Sequence, residues 1–389
     1  MEFAWDEPTQ MATVTVRQQQ QTGTEHGVDT PLFDMPVTLS FALPEGAQRF
    51  PLRVKEQLHV FHLPLPAKPQ WLSFDPGNWI LKKVQLKLPK DMLMAQLTHD
   101  PDPMGRIYAA EALGELGSLE AVTALRRALE HDSFWGVQAE IAATLGKIHT
   151  PEALEALLAN VQLPHPKARR AVVTALGEFK ADRAATALTH VLTQEDTSYF
   201  VEAETAAALG KTRVNGILEQ LQQASQKASW NEVIRGGVFR GLAELKDERA
   251  MPLLIDYTAY GRPPLARYAA IRALGKLGGE KDPAPEAIVE TLTTLLDEEH
   301  FRTRMAVLDA LEALNSSKTL PALERLRARD LDGRVKRRLE EVSETIRSGR
   351  KQADEVQQLR DDVQAVREEN KKLLERLDRL EARQAPAPN

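Results

Sequence analysis

Apolar residues through the middle two thirds of the chain are spaced three and four positions apart, which is the pattern of amphipathic helices. Within this pattern a leucine recurs, most often inside an Ala-Leu-Gly signature, at intervals of 32, 31, 33, 33, 32 and 37 residues. A fixed period in this range is typical of stacked helical repeats. The anchor leucines are Leu113, Leu145, Leu176, Leu209, Leu242, Leu274 and Leu311.

Each signature closes one predicted helix, and a second amphipathic stretch follows it. The pattern therefore indicates two helices per repeat. The glycine directly after an anchor leucine, often with a second one three residues on, supplies a residue that can end the first helix with a positive φ. Such pairs are Gly114 and Gly117, and Gly275 and Gly278. The second helices are predicted at Leu119–Leu129, Pro151–Val161, Arg183–Leu192 and Met251–Tyr260.

Before residue 90 the pattern changes to strict alternation of apolar and polar residues, interrupted by proline and glycine. Such segments predict short strands and a small sandwich. The predicted strands are Thr13–Arg17, Pro36–Leu43, Leu58–Leu63 and Trp71–Leu81.

A heptad pattern marks the C-terminal segment and predicts a coiled coil. Its a and d positions are Val356, Leu359, Val363, Val366, Asn370, Leu373, Leu377 and Leu380. The polar Asn370 at an a position favours one register, and three of four g-to-e′ pairs have opposite charges, so we expect a parallel homodimer. The alternative is a solvated helix that folds back on the last repeat.

An arginine stands seven residues before five of the seven anchors, at Arg106, Arg169, Arg235, Arg267 and Arg304. Gln138 and Glu202 occupy this position in the other two repeats. One interpretation is a ladder of guanidinium groups for an anionic ligand. The other, favoured because the position repeats with the architecture, is that each arginine pairs with an acid or carbonyl of the adjacent repeat.

The net charge of −6 over 389 residues gives no general basic field for nucleic acid. A basic cluster between Arg325 and Arg338 is interleaved with acids and is interpreted as the polar face of a capping repeat. The chain has no cysteine, no basic-then-apolar leader and no run of eighteen apolar residues. We therefore expect a cytoplasmic protein with no membrane segment.

Two resemblances follow from these residues. The paired alanines followed by Ala-Leu-Gly, over about Leu97 to Arg347, resemble HEAT repeats of the phycobilisome-lyase type, which implies a binding scaffold. The run 18–20, the phrase Pro36-Val-Thr-Leu and above all Phe74-Asp-Pro-Gly-Asn-Trp-Ile-Leu-Lys82 resemble the β-sandwich of aminopeptidase N-type zinc peptidases. In a branch of that family, a helical-repeat domain follows the sandwich.

The catalytic motif of that family is missing, because the chain contains no His-Glu dipeptide and hence no His-Glu-x-x-His. His59 and His62 should face opposite sides of a strand. His99-Asp100 and His131-Asp132 occupy equivalent turn positions, where aspartate is expected to cap a helix. We therefore predict no catalytic, cofactor-binding or metal-binding residues and no cofactor.

The predicted fold class is mainly α: a HEAT-like α-solenoid, or armadillo-type superhelix, preceded by a small all-β sandwich and followed by a coiled-coil helix. The predicted segments are a β-sandwich domain at 1–90, about seven HEAT-like repeats at 91–347, a coiled coil at 352–384 and a disordered tail at 385–389. The predicted function is a non-catalytic scaffold that binds a protein or peptide on its helical surface. The alternative is a fragment or subunit that completes a zinc aminopeptidase whose catalytic domain lies upstream or on another chain.

Overall fold

A computed structural model describes residues 1–19, 31–194, 196–279, 281, 283–349 and 363. The chain divides into two compact units, Met1–Leu245 and Lys246–Asn389. Among the described residues, no helix has both the length and the apolar character needed to cross a bilayer.

The first unit opens with two three-stranded antiparallel sheets, ordered β1-β2-β5 and β4-β3-β6. Buried residues alternate along β2 and β3, and the Phe3 and Phe41 rings, from one sheet each, lie 6.5 Å apart. The strands are β1 (Glu2–Asp6), β2 (Met11–Arg17), β3 (Met35–Leu43), β4 (Gly46–Val54), β5 (Leu58–Pro64) and β6 (Trp71–Phe74).

The strand predicted over Trp71–Leu81 is wrong beyond Phe74, where β6 ends. The backbone turns at Asp75, which has a φ of 54°, so the aromatic and aliphatic residues that follow belong to a loop. Two strands, β1 and β4, were not predicted. β4 contains Pro51, which demotes a run as a strand candidate although Phe50, Leu52 and Val54 alternate with polar residues and proline.

Ten helices of the first unit follow, counted over the described residues. They are α1 (Lys90–His99), α2 (Pro103–Leu116), α3 (Leu119–His131), α4 (Trp135–Ile148), α5 (Pro151–Leu158), α6 (Pro166–Leu176), α7 (Asp182–Gln194), α8 (Tyr199–Thr212), α9 (Ile217–Ala224) and α10 (Val233–Leu245). The predicted second helices correspond to α3, α5 and α7 here and to α11 of the second unit. Their existence is confirmed, with ends displaced by up to three residues.

The even-numbered helices of this unit carry the anchors and stack side by side as one layer. The odd-numbered helices α1, α3, α5 and α7 form a second layer. All the anchor leucines, in both units, have no exposed surface. We call the helices that bear them the signature helices.

The second unit repeats this arrangement. Its helices are α11 (Met251–Tyr257), α12 (Pro264–Gly279), α13 (Glu286–Leu295), α14 (Phe301–Leu314), α15 (Leu320–Arg329) and α16 (333–349). The last pair carries no anchor leucine, but α16 buries Val335, Leu339, Val342 and Ile346 at helical spacing. The predicted fold class, mainly α with HEAT-like helix pairs behind small antiparallel sheets, is confirmed.

Gly117 ends α2 with a φ of 57°, as predicted, but the glycine directly after an anchor does not adopt a positive φ. At the end of α6 the cap Gly177 has a φ of −63°. Gly114, Gly146 and Gly210 lie inside α2, α4 and α8. The residue with positive φ comes four positions after the anchor, at Gly117, His149, Arg213 and Asn315. The signature glycines instead allow close approach of the next helix: a β-carbon on Gly210 would overlap the Gly241 backbone in α10.

Of the predicted dimerisation residues, Val363 is helical and 45% exposed. The others, together with the predicted tail, lie outside the described residues. The coiled coil and the homodimer therefore stay predictions, as do the domain boundaries.

Candidate functional site: the junction loop and its cleft

The loop between the last strand and the helices, residues 75–83, is fixed by a buried ion pair. We call it the junction loop. Lys82 Nζ lies 2.6 Å from Asp75 Oδ2 and 2.7 Å from Asn78 Oδ1, and the side chains of Lys82 and Asp75 are 12% and 6% exposed. Asp75 also accepts a hydrogen bond from the Ile80 backbone N–H at 2.9 Å. A charge pair this well shielded from water holds the loop in one conformation.

The junction loop is also tied to α2. Asp102, the N-cap of α2, accepts hydrogen bonds from the N–H of Met104 at 3.0 Å and from that of Gly77 at 2.8 Å. Tyr108 donates its hydroxyl to Asn78 Oδ1 at 3.3 Å. One side chain thus caps the helix and anchors the loop, so the loop is positioned by the repeats as well as by the sandwich.

This restrained loop presents two large apolar side chains to solvent. Trp79 is 87% exposed and Leu81 104% exposed. Burial of such side chains is worth about 1.5–3 kcal/mol each, yet both remain in solvent on a loop that Asp75, Lys82 and Asp102 tie down. An apolar pair held outward on a rigid loop is typical of a protein-binding anchor, where tryptophan is enriched.

Beside the loop lies a cleft of about 320 Å³ between the extended segment Lys83–Leu86 and the helices α2 and α4. Its walls carry both charges, because Lys83 and Lys147 face Glu111 and Glu115. Tyr108 and Thr144 add hydroxyl groups. The cleft can therefore form hydrogen bonds and ion pairs with a polar chain.

Burial, reinforced by the nearby carboxylate of Glu140, raises the pKa of Glu111 above its usual value. Burial, and then the charge of Glu111, also raises the pKa of Tyr108. The Glu111 carboxyl and the Tyr108 hydroxyl are thus partly shielded polar groups that line the cleft.

The arginine ladder is structural, as the favoured interpretation predicted. Arg106 holds Asp132 with two bonds of 2.7 and 3.0 Å and also donates to the Asp100 carbonyl at 2.9 Å. Arg169 binds both oxygens of Asp196 at 2.7 Å. Each such arginine joins the turn before its own helix to the turn of the next repeat. The pairs are Arg106–Asp132, Arg169–Asp196, Arg267–Glu298 and Arg304–Asp330.

The remaining ladder positions hold the turns of the repeats through other bonds. Arg235 donates to the Ser225 carbonyl at 2.8 Å, and Gln138 donates to the Leu129 carbonyl at 3.1 Å. At Glu202 the polarity is reversed: Lys227 binds this carboxylate at 2.7 Å and donates to the Leu192 carbonyl at 2.7 Å. These groups are committed to the fold and do not form an anion site.

The histidines do not form a metal site in the described part of the chain, where no group of three or more His, Asp or Glu side chains could hold an ion. His62 Nδ1 lies 3.1 Å from Thr13 Oγ1, while His59 lies on the more buried face of the same strand, as predicted. Asp100 and Asp132 make hydrogen bonds at helix ends, with the N–H of Asp102 and of Phe134.

In the basic cluster of the second unit, several arginines are paired with acids. Arg327 lies 2.8 Å from Glu340, Arg337 lies 3.1 Å from Glu341, and Arg338 lies 3.2 Å from Asp309. This pairing agrees with a polar face.

Family comparisons define the class of the helical region. Residues 91–164 match the HEAT repeats model, and residues 168–194 and 266–298 match the PBS lyase HEAT-like repeat. The chain therefore contains HEAT repeats, including repeats of the phycobilisome-lyase type. Comparison of the sequence with curated proteins finds no match.

Solved structures extend the comparison to the whole fold. Legionella pneumophila aminopeptidase A, in complex with aspartic acid, matches with a TM-score of 0.52 and 9% identity over 88% of this chain and 48% of that one. The chain thus spans about half of that enzyme, and the likeness concerns the fold alone. Human deoxyhypusine hydroxylase (TM-score 0.31, 20% identity, 67% of this chain and 96% of that chain) also matches. So does the CpcE–CpcF complex of phycocyanin lyase from a Nostoc species (TM-score 0.35, 20% identity, 69% and 98%).

Sequence reasoning identified the anchors and the ladder but missed the junction site. The segment Trp71–Lys83 was singled out by its resemblance, yet its apolar residues were assigned to a strand. The Asp-Pro-Gly-Asn run at 75–78 is a turn signal that could have placed Trp79 and Leu81 in a loop.

Proposed function

We propose that this protein is a non-catalytic scaffold that binds a partner protein through the junction loop and its cleft. The observation that carries this proposal is the exposure of Trp79 and Leu81 on a loop fixed by the Asp75–Lys82 pair. The two side chains supply an apolar anchor, while the charged walls of the adjacent cleft supply polar contacts around it. This combination of apolar centre and polar surroundings is typical of protein interfaces.

The chemistry of the cleft supports binding rather than turnover. Zinc peptidases need paired imidazoles one helical turn apart and a glutamate to activate water. The sequence has no His-Glu dipeptide, and the cleft is lined by lysine, glutamate, tyrosine and threonine without histidine. We accordingly propose that the isolated chain is not an enzyme, needs no cofactor and acts in the cytoplasm.

A second candidate function is that the chain completes a zinc aminopeptidase whose catalytic domain lies upstream or on another chain. The structural match with an aminopeptidase favours it, because 88% of this chain corresponds to 48% of that enzyme. Under this proposal the sandwich and repeats form the non-catalytic half, and the junction loop contacts the catalytic half.

Proximity labelling with the full chain tests the scaffold function. We expect Trp79→Ser/Leu81→Ser to lose the specific partner that the unaltered chain labels. Leu119→Ser removes another exposed apolar side chain, 65% exposed at the start of α3, and should keep that partner. A set of labelled proteins unchanged by the double variant would contradict the proposal.

Two further measurements separate the candidates. The purified chain should not cleave amino-acyl anilides and should not contain stoichiometric zinc; chelator-sensitive cleavage restored by zinc would refute the non-catalytic assignment. An in-frame His-Glu-x-x-His upstream in the genomic sequence would favour the second candidate.

A further inference from the structure

A row of partly exposed aromatic side chains follows the turns that lead into the signature helices of the first unit. They are separate from the junction loop and make no contribution to the ladder. We call this row the aromatic ridge; its members are Phe134, Trp135, His165, Tyr199, Phe200 and Trp230.

Ring contacts join the first two turns of the ridge. The Trp135 ring stacks on His165 with centroids 5.2 Å apart, lies 5.5 Å from Phe134, and has Lys167 Nζ 4.3 Å from its centroid. The ladder then holds the later turns in line, because Arg169 reaches from the turn before α6 to Asp196 in the turn before α8. The aromatic residues are therefore placed side by side by the repeat architecture itself.

The ridge leaves much apolar surface in water. Trp230 is 66% exposed, Phe200 54% and Tyr199 46%. The anchors and the ladder already hold these turns, so the fold does not require large aromatic residues here. Exposed aromatic side chains that recur on successive turns are typical of an interaction surface.

The charges of the ridge are unequal. The described acids of these turns, Asp132, Asp196 and Glu232, are each paired with a ladder arginine. By contrast, Lys167 and Arg170 form no ion pair within the described residues. These two cations, next to His165 and Trp135, favour an acidic partner.

The distance between successive turns of the ridge limits the conformation that a bound segment can adopt. Helices packed in a layer lie about 8–10 Å apart. A polyproline II segment has three residues per turn and rises about 9 Å per turn, so every third side chain lies on the same face. We propose that the aromatic ridge binds an acidic segment of a partner protein in the polyproline II conformation, with an aromatic or aliphatic side chain at every third position.

Fluorescence anisotropy with the full chain tests this proposal. The probe is a fluorescein-labelled peptide of four Asp-Phe-Glu triplets, compared with peptides of Asp-Ser-Glu and Lys-Phe-Gln triplets. We expect the first peptide to bind at least about tenfold more tightly than either of the others. Phe200→Ser/Trp230→Ser should weaken its binding about tenfold, and Lys167→Glu should weaken it and reduce its dependence on salt.

Leu119→Ser, which removes a 65% exposed apolar side chain at the start of α3, outside the ridge, is the control and should change the affinity less than about twofold. Circular dichroism melts establish that all variants fold. Equal binding of the three peptides, or unchanged binding by the ridge double variant, would overturn the proposal. Tighter binding of an oligothymidine than of the acidic peptide would overturn it too, in favour of a nucleic-acid surface.

Discussion

Replacement of Gly210 by alanine tests why the signature contains glycine. In an unhindered helix interior this change stabilises a protein by about 1 kcal/mol. At Gly210, however, the added β-carbon would overlap the backbone of Gly241, so α8 and α10 must move apart. Overpacking costs about 1–3 kcal/mol. The group that the β-carbon would meet is backbone and cannot rotate away as a side chain can, so we take a cost of about 3 kcal/mol, from which the gain of about 1 kcal/mol is subtracted. We therefore expect Gly210→Ala to lower the free energy of unfolding by about 2 kcal/mol.

Urea unfolding followed by circular dichroism measures this effect, with two further variants as a graded series. At Gly146 a β-carbon would lie 3.1 Å from the Ala175 β-carbon, so a smaller loss is expected; at Gly333 it would meet no atom within 4 Å, so no loss is expected. If Gly210→Ala unfolds at the same urea concentration as Gly333→Ala, the close packing of α8 and α10 is not what the glycine serves.

Three other predictions concern the ladder, the cleft and the tail. Arg169→Met should cost about 3 kcal/mol by leaving Asp196 buried and unpaired. Burial opposes ionisation of Asp196, but its bonds to Arg169 and Ser198 lower its pKa. The ionised carboxylate therefore stabilises the fold above the unfolded pKa of about 3.9, and this stabilisation is lost as pH falls through the folded pKa. Melts of Arg169→Met in acid should lack this loss. Burial raises the pKa of Glu111 because it disfavours the ionised carboxylate, so the free energy of unfolding falls as pH rises above the unfolded pKa of about 4.3. Glutamine carries no charge at any pH. Glu111→Gln should therefore raise the melting temperature near neutral pH but not below about pH 4. Deletion of 352–389 should convert a dimer into a monomer by light scattering while the melt of the repeats is unchanged; a dimer that persists contradicts the coiled coil.

The repeat architecture could be predicted because every repeat needs the same types of residue at the same positions. A leucine without exposed surface, small residues beside the next helix and an arginine at the preceding turn recur together, so their period is visible. The role of the signature glycine was assigned wrongly, because a glycine near a helix end fits a cap as well as a close contact. Which of these applies depends on the neighbouring helix, as Gly210 against Gly241 shows.

The candidate site could not be predicted from periodicity, since it depends on contacts between distant residues. Asp102 joins α2 to Gly77 across 25 positions, in the loop that carries the exposed Trp79. The aromatic ridge has a weak sequence signal, an aromatic residue nine to twelve positions before an anchor, as at Phe134 and Trp230. That signal alone does not distinguish exposed rings from buried ones.

The reversed pair at Glu202 and Lys227 limits how this array could be rearranged by duplication or exchange of repeats. Where five of the repeats carry an arginine that supplies the positive charge from the signature helix, this one receives it from the following turn. A repeat inserted with arginine at position 202 would set two cations against each other beside the Leu192 carbonyl. Helix pairs are therefore not interchangeable at this point, and Glu202 and Lys227 must be inherited together.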